Sequence, residues 1–221
     1  MIVAAKKLSC VVFDWDGTVV DSREAMFLSY RNAFRTHLGI EFPKTDAEFR
    51  HIVKMRTAEM AAAYGGSKAA EVAEAYNRFY NSEAYAGVRV FPGMVSTLEE
   101  LRARGYRLGV ATNKGVERLH KDMDHLDLRG LFDAVVAAED TAERKPHPAP
   151  LLKAAEKLGI EPARCAYVGD FSGDVVAAKA AGMISIGVLW GRIFPEEELR
   201  AQRPDYLLQS PQQLLEVFPG H

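Results

Sequence analysis

Cysteine is scarce, with two among 221 residues, too few for a disulfide-stapled scaffold. Cys10 and Cys165 both fall in short apolar runs, residues 8–13 and 165–168, where a free thiol behaves as a small buried hydrophobe. The expectation is two free thiols in a reduced, cytoplasmic protein. Long apolar runs are lacking too: the longest candidates, 11–13 and 183–190, fall short of the roughly 18 residues that span a bilayer. Lys6 and Lys7 interrupt the first apolar stretch and an acidic motif follows at once, which argues against a secretory signal. There is no excess of one charge, 28 Lys and Arg facing 30 Asp and Glu for a net −2. Without a clustered basic surface, nucleic-acid binding is not expected. The six histidines are scattered without metal-ligand spacing, and repeats and low-complexity tracts are missing.

What is present is an ordinary globular composition, 48% hydrophobic and 26% charged, with 17 Gly and 10 Pro. The length exceeds a typical domain of about 100–150 residues, so one large domain or one carrying an insertion is expected. Short segments rich in β-forming residues recur at 10–13, 108–111, 134–137, 166–168 and 184–188, with helix-period stretches at 95–104, 116–125, 149–158 and 174–181 between the later ones. That alternation indicates βαβ units and a parallel sheet, an α/β doubly wound core. From about Ser22 to Tyr85 the pattern changes. Met26, Tyr30, Phe34 and Leu38, then Val72, Tyr76, Phe79 and Tyr80, recur at helical spacing, and Gly39, Pro43 and Gly65–Gly66 divide the region into about four helices. The expected organisation is a core of residues 1–20 and 87–221 with a small helical bundle, 21–86, inserted into it.

The first strand runs into Asp14-Trp15-Asp16-Gly17-Thr18, placing two acids at the carboxyl end of a strand, where open α/β sheets bind ligands. A lone Asp-x-Asp-Gly is by default a solvated turn. Three more strand ends carry polar residues: Thr112-Asn113-Lys114-Gly115 before a helix, Lys145-Pro146, and Gly169-Asp170 with Asp174. Thr112 and backbone N–H groups at a helix N-terminus suit a phosphate. Each has a plain reading alone, as a helix cap, a loop cation or a first-turn acid. Together they supply what phosphoryl transfer needs: a carboxylate nucleophile, a lysine to offset charge, and oxygen ligands that favour Mg²⁺ over softer metals.

In these four motifs, in order and at ordinary spacing, the chain resembles the haloacid dehalogenase superfamily of phosphohydrolases. Val19-Val20-Asp21-Ser22, Phe91-Pro92-Gly93 and Pro204-Asp205-Tyr206-Leu207 look like its phosphoglycolate phosphatase-like branch, whose helical cap is inserted after the first motif. The resemblance implies that Asp14 is the nucleophile and Asp16 the general acid and base. It implies Mg²⁺ held by Asp14, the Asp16 backbone carbonyl and Asp170, with Asp174 in support. Thr112 and the Asn113 backbone would hold phosphoryl oxygens, and Lys145 would neutralise charge. Trp15 is bulkier than the resemblance leads one to expect, and Asp16 argues against phosphonate cleavage. In the cap, Arg56 or Lys54 would clamp a carboxylate such as that of phosphoglycolate, against the plainer reading of a solvated helix cation. Trp190 and the series Tyr76, Phe79, Tyr80 read as packing residues, and no step of the mechanism needs the imidazole of His147, although it follows Lys145 closely. The expected partner is a small phosphorylated metabolite. Other phosphoester or pyrophosphate hydrolysis, a sugar-phosphate mutase, and a phospho-accepting signalling domain stay as alternatives, although the last leaves the inserted helices without a purpose.

Overall fold

The computed structural model describes residues 8–220; residues 1–7 of the expected core segment, and His221, lie outside the described residues. The chain begins with β1 (Cys10–Phe13), then β2 (Val20–Asp21) and four helices, α1 (Arg23–Leu38), α2 (Asp46–Val53), α3 (Thr57–Gly65) and α4 (Ala69–Ser82). β3 (Arg89–Val90) follows, and then α5 (Met94–Ala103), β4 (Arg107–Ala111), α6 (Val116–His125), β5 (Ala134–Val136), α7 (Ala149–Leu158), β6 (Cys165–Gly169) and α8 (Ser172–Ala180). β7 (Ile184–Val188), α9 (Glu196–Ala201), β8 (Tyr206–Leu208) and α10 (Leu214–Val217) complete it. The five strands read from the sequence are all present, and the four later helices fall within two residues of their expected bounds.

Six strands form one parallel sheet in the order β5-β4-β1-β6-β7-β8. β1 and β6 lie at its centre with every residue buried, which is why they read as unbroken apolar runs rather than alternating ones. Strand order reverses between β1 and β6, so their carboxyl ends border the crevice where doubly wound folds bind ligands. The register fixes what emerges there: Phe13 is the partner of Val168, and Asp14 N continues the ladder to Val168 O at 2.8 Å. Asp14 and the Gly169–Asp170 segment therefore leave the sheet side by side.

Between β2 and β3 the chain is helical, as expected. A short antiparallel ribbon, Val20 with Val90 and Asp21 with Arg89, joins the exit and return of this segment. Two-residue strands carry no periodicity, so the ribbon has no sequence signal. α1 packs on α2 and α3 through aromatic edges, Phe27 and Tyr30 against Phe49 and Phe34 against Tyr64 and the connecting Phe42, and on α4 through the tilted rings of Tyr30 and Tyr76. One apolar cluster runs from Val11 and Phe13 through Trp15 to Tyr30, Phe34 and Tyr80, so sheet and inserted helices share a core. β8, also unanticipated, adds a sixth strand at the sheet edge.

The cysteines correct the sequence reading. Cys10 and Cys165 are register partners on adjacent strands, with Cα atoms 4.8 Å apart, and are joined in a disulfide rather than standing as free thiols. Spacing in sequence, 155 residues, could not reveal a pairing that only the strand register creates. The inference of a reducing compartment loses the support of free thiols. Among the described residues no helix is long and apolar enough to cross a membrane.

Phe13 is fully buried and meets Phe132 edge to face at 6.4 Å. Phe13→Ala is expected to lower unfolding free energy by about 3–5 kcal/mol, read as a fall in the urea midpoint at constant slope.

Candidate active site

Four strand ends converge on one cleft of about 390 Å³ whose walls include Asp14, Asp16, Thr112, Lys145, Asp170 and Asp174. Asp14 follows β1, Thr112 follows β4, Lys145 lies between β5 and α7, and Asp170 and Asp174 flank the start of α8. Ligand oxygens of Asp14, Asp170 and Asp174 all lie within 4.8 Å of one another. Lys145 Nζ lies 2.8 Å from Asp14 Oδ1 and 2.8 Å from Asp174 Oδ1. It also donates to the Tyr167 hydroxyl at 2.7 Å, which donates in turn to Ala111 O at 2.6 Å. Asp14 Oδ1 is thus held by the Lys145 ammonium, whereas the buried Asp170 Oδ2 has no hydrogen-bond donor.

Burial shapes the titration of this group. It pushes the Asp174 carboxyl up to about 6 against the pull of Lys145, and pushes Asp170 well above the usual carboxylate range, with Asp174 and Asp14 adding to the rise. Burial also disfavours the Lys145 ammonium, but Asp14 and Asp174 more than offset it and its pKa is raised. One lysine beside three acids leaves negative charge in excess, with one oxygen of each acid within 4.8 Å of the others. An all-oxygen donor set of this kind fits a hard divalent cation. The backbone makes room for it. Gly17 has φ +76°, and a Cβ there would run into the Asp170 carboxylate; a Cβ on Gly169 would run into that of Asp174.

The remaining expected residues fall as follows. Asp16 gives no carboxylate oxygen to the cluster. Its Oδ1 accepts from Ser22 Oγ at 2.5 Å and from Lys114 Nζ at 2.7 Å. Thr112 is buried, whereas the Asn113 side chain clips the backbone of Lys145 from both sides, Nδ2 donating to its O at 3.0 Å and Oδ1 accepting from its N at 3.1 Å. The helix N-terminus expected to offer free N–H groups has one of them taken, since Val116 N donates to Glu139 Oε2 at 2.8 Å. Arg56 lines the cleft but its side chain is half exposed and pairs with Glu59. Lys54 pairs with Glu198 of α9 at 2.9 Å and lies over Phe171 and Phe194. His147 Nδ1 accepts from Ala149 N at 3.2 Å at the start of α7, and Trp190 Nε1 donates to Thr18 O at 2.8 Å.

Residues 11–188 match the family described as haloacid dehalogenase-like hydrolase. The chain belongs to that family. It is 32% identical over 211 residues to the phosphoglycolate phosphatase of Aquifex aeolicus, covering 96% of this chain and 97% of the relative. It is 29% identical over 212 residues to pyrophosphatase PpaX of Bacillus velezensis, at the same two coverages. Its fold superposes on a haloacid dehalogenase-like hydrolase of Streptococcus pneumoniae with TM-score 0.85 at 23% identity, covering 96% of this chain and 99% of that one. The parallel sheet with its flanking helices is thus the hydrolase fold of this family.

Sequence reasoning missed a second buried polar group in this hydrolase. Lys114, 5% exposed, holds Asp16 at 2.7 Å, Asp122 Oδ2 at 2.9 Å and the Tyr80 hydroxyl at 2.7 Å. Asp122, fully buried, also accepts from Trp15 Nε1 at 3.0 Å and from the Tyr80 hydroxyl at 3.1 Å. Burial raises the Asp122 pKa while Lys114 opposes it. Burial likewise disfavours the Lys114 charge, but Asp122 and Asp16 overcome it and raise its pKa well above normal. Tyr80, read as part of an apolar helix face, buries its ring there and spends its hydroxyl on this group. Lys114→Met would strand Asp122 as a buried charge and is expected to cost about 3–5 kcal/mol of stability. Adding Asp122→Asn, which can still accept from Trp15, should recover part of that loss; chemical denaturation of the two single variants and the double variant measures the coupling.

Proposed function

We propose that this hydrolase is a Mg²⁺-dependent phosphatase of a small phosphorylated metabolite, with phosphoglycolate first among its substrates and the phosphoryl group passing through an aspartyl-phosphate at Asp14. The observation that carries the reading is Asp14 itself. Of the paired acids on Lys145 it is the more open, its side chain 13% exposed against 3% for Asp174, and it lines the cleft. The relatives named above, a phosphoglycolate phosphatase and a pyrophosphatase, support the reaction class. Metabolites of this kind are kept inside cells by their charge, and the cytoplasm is the place of action that goes with this reading.

Asp14 would attack phosphorus as the bond to the leaving oxygen breaks, with Asp16 giving that oxygen its proton. Water then attacks phosphorus, Asp16 takes a proton from it, and the bond to Asp14 breaks to release inorganic phosphate and restore both carboxyl groups. Lys145 offsets charge on the transferring group. The Thr112 hydroxyl and the Asn113 backbone are proposed to hold phosphoryl oxygens. Asp14, the Asp16 carbonyl and Asp170 would bind Mg²⁺, with Asp174 supporting. The cation would supply charge stabilisation for the phosphoryl group. Residues 21–86 act in this reading as a cap that closes over the cleft and excludes water, bringing Arg56 to it.

Inorganic phosphate release from phosphoglycolate should be abolished by EDTA, restored by Mg²⁺, and fall at least about 10³-fold in Asp14→Asn. Phosphate retained in an isomerised sugar product would replace hydrolysis with mutase activity. The cation should also show itself through pH. Asp170 and Asp174 must lose their protons to act as ligands, and both are raised, Asp174 to about 6. The rise in melting temperature on adding Mg²⁺ should therefore shrink as pH falls through 6, where Asp174 takes up its proton. An increment independent of pH between 5 and 8 would contradict this ligand set.

A further inference from the structure

The cations in the cleft differ in what already holds them. Lys54 is paired with Glu198 and Arg56 with Glu59. Arg118, on the first turn of α6, crosses to the inserted helices and lines the same cleft as Asp14. Its NH1 donates to Asn77 Oδ1 and, at 3.4 Å, to Thr57 Oγ1, both neutral. Its guanidinium lies 5.2 Å from the Tyr76 ring centroid and 5.9 Å from that of Tyr80. Arg144, immediately before Lys145, also lines the cleft and forms no side-chain hydrogen bond or ion pair among the described residues. Burial, then the neighbouring Arg56, holds its pKa below the ordinary arginine value against the pull of Glu139 and Glu59, with Arg118 adding to the fall. Glu139, the acid beside them, is turned to Val116 N.

Neither arginine forms an ion pair among the described residues; Glu139 and Glu59 act on Arg144 and Asp16 on Arg118 only at longer range, which leaves both guanidinium groups open to an anion in the cleft. The reacting phosphoryl group already has Lys145, Thr112 and the acidic cluster's cation site in the reading above. We propose that Arg118 and Arg144 form a second anion subsite, which binds a negatively charged group of the substrate separate from the phosphoryl group being transferred. The inference rests on the phosphatase reading and narrows it, to a small phosphate ester or anhydride that carries a carboxylate or a second phosphoryl. With its face set against tyrosine rings, the Arg118 guanidinium is oriented to offer in-plane N–H groups for pairing with such a group. It also moves the determinant of specificity from the cap loop at Arg56 to the core helix α6.

Steady-state phosphate release would be compared for phosphoglycolate, pyrophosphate and 2-hydroxyethyl phosphate, the last replacing the carboxylate by a neutral alcohol. Arg118→Met and Arg144→Met should each reduce the ratio of kcat/KM for phosphoglycolate to that for 2-hydroxyethyl phosphate by about tenfold or more, mainly through KM. Arg118→Lys should restore part of it. The ratio for pyrophosphate tells whether a second phosphoryl serves as well as a carboxylate. An equal loss on charged and neutral esters, the outcome of a structural role, would overturn the subsite, as would an unmoved ratio. Calorimetric binding to Asp14→Asn protein, which does not need turnover, repeats the comparison. If no substrate releases phosphate, the phosphatase reading fails, while a preference for phosphoglycolate over the neutral ester that vanishes on adding Arg118→Met still upholds the subsite.

Discussion

Three carboxylates and one lysine packed at the end of two central strands form the constraint around which the rest of the molecule is arranged. Parallel register sets Asp14 beside the Gly169–Asp170 segment, and the first turn of α8 brings Asp174 back onto Lys145. Close approach is possible only because Gly17 and Gly169 have no Cβ in the path of the two carboxylates. The arrangement is electrostatically unfavourable: burial raises Asp170 and Asp174, and a single ammonium cannot neutralise all three acids. It persists because the fully buried β1 and β6 give the strand ends no freedom to separate. A like-charged cluster held by a rigid sheet is a donor set that fits a hard divalent cation.

The second buried group links this rigid sheet to the inserted helices. Lys114 comes from the loop after β4, Asp122 and Trp15 from the core, and Tyr80 from α4, while Asp16 joins it to Ser22 at the start of α1. Magnitude separates this contact from the other bridge, Lys54 to Glu198. That pair is 36% and 41% exposed, and exposed pairs contribute at most about 1 kcal/mol. Breaking a buried pair costs several times more. If the helices move over the cleft, the Lys54 side can release at little cost, whereas the Lys114 side acts as the fixed edge of that motion.

Most of this fold was legible because its central strands are buried on both faces and its helices are amphipathic, so apolar runs and helical spacing translate directly into elements. The site was legible for a related reason: polar residues directly after apolar strands have few other places to go. Pairings that depend on register were not legible. Cys10 and Cys165 meet only because β1 and β6 are aligned in one register, and the β2–β3 ribbon and β8 are too short to show a period. Asp122 did leave a trace. It stands at helical spacing with Leu119 and Met123, both buried, and a charged residue on that face needs a buried partner. Lys114, directly after the Thr112-Asn113 pair, is that partner, though nothing in the sequence ties the two together across the turn.

Substrate-contacting cations are harder to read for a different physical reason. Whether a cation is available to a ligand depends on which carboxylates its neighbours bring, and those neighbours are distant in sequence. Lys54 and Arg56 look equally free in the chain, yet Glu198, 144 residues away, occupies the first, and Glu59, one helical turn on, occupies the second. Arg118 looks like an ordinary solvated residue of α6, but folding places it against Tyr76 and Tyr80 with only an amide and a hydroxyl as partners. Aromatic faces and neutral acceptors orient a guanidinium without consuming its charge, whereas a carboxylate consumes it. Among the arginines that line this cleft, one held by neutral groups therefore keeps more of its field than one paired with a carboxylate.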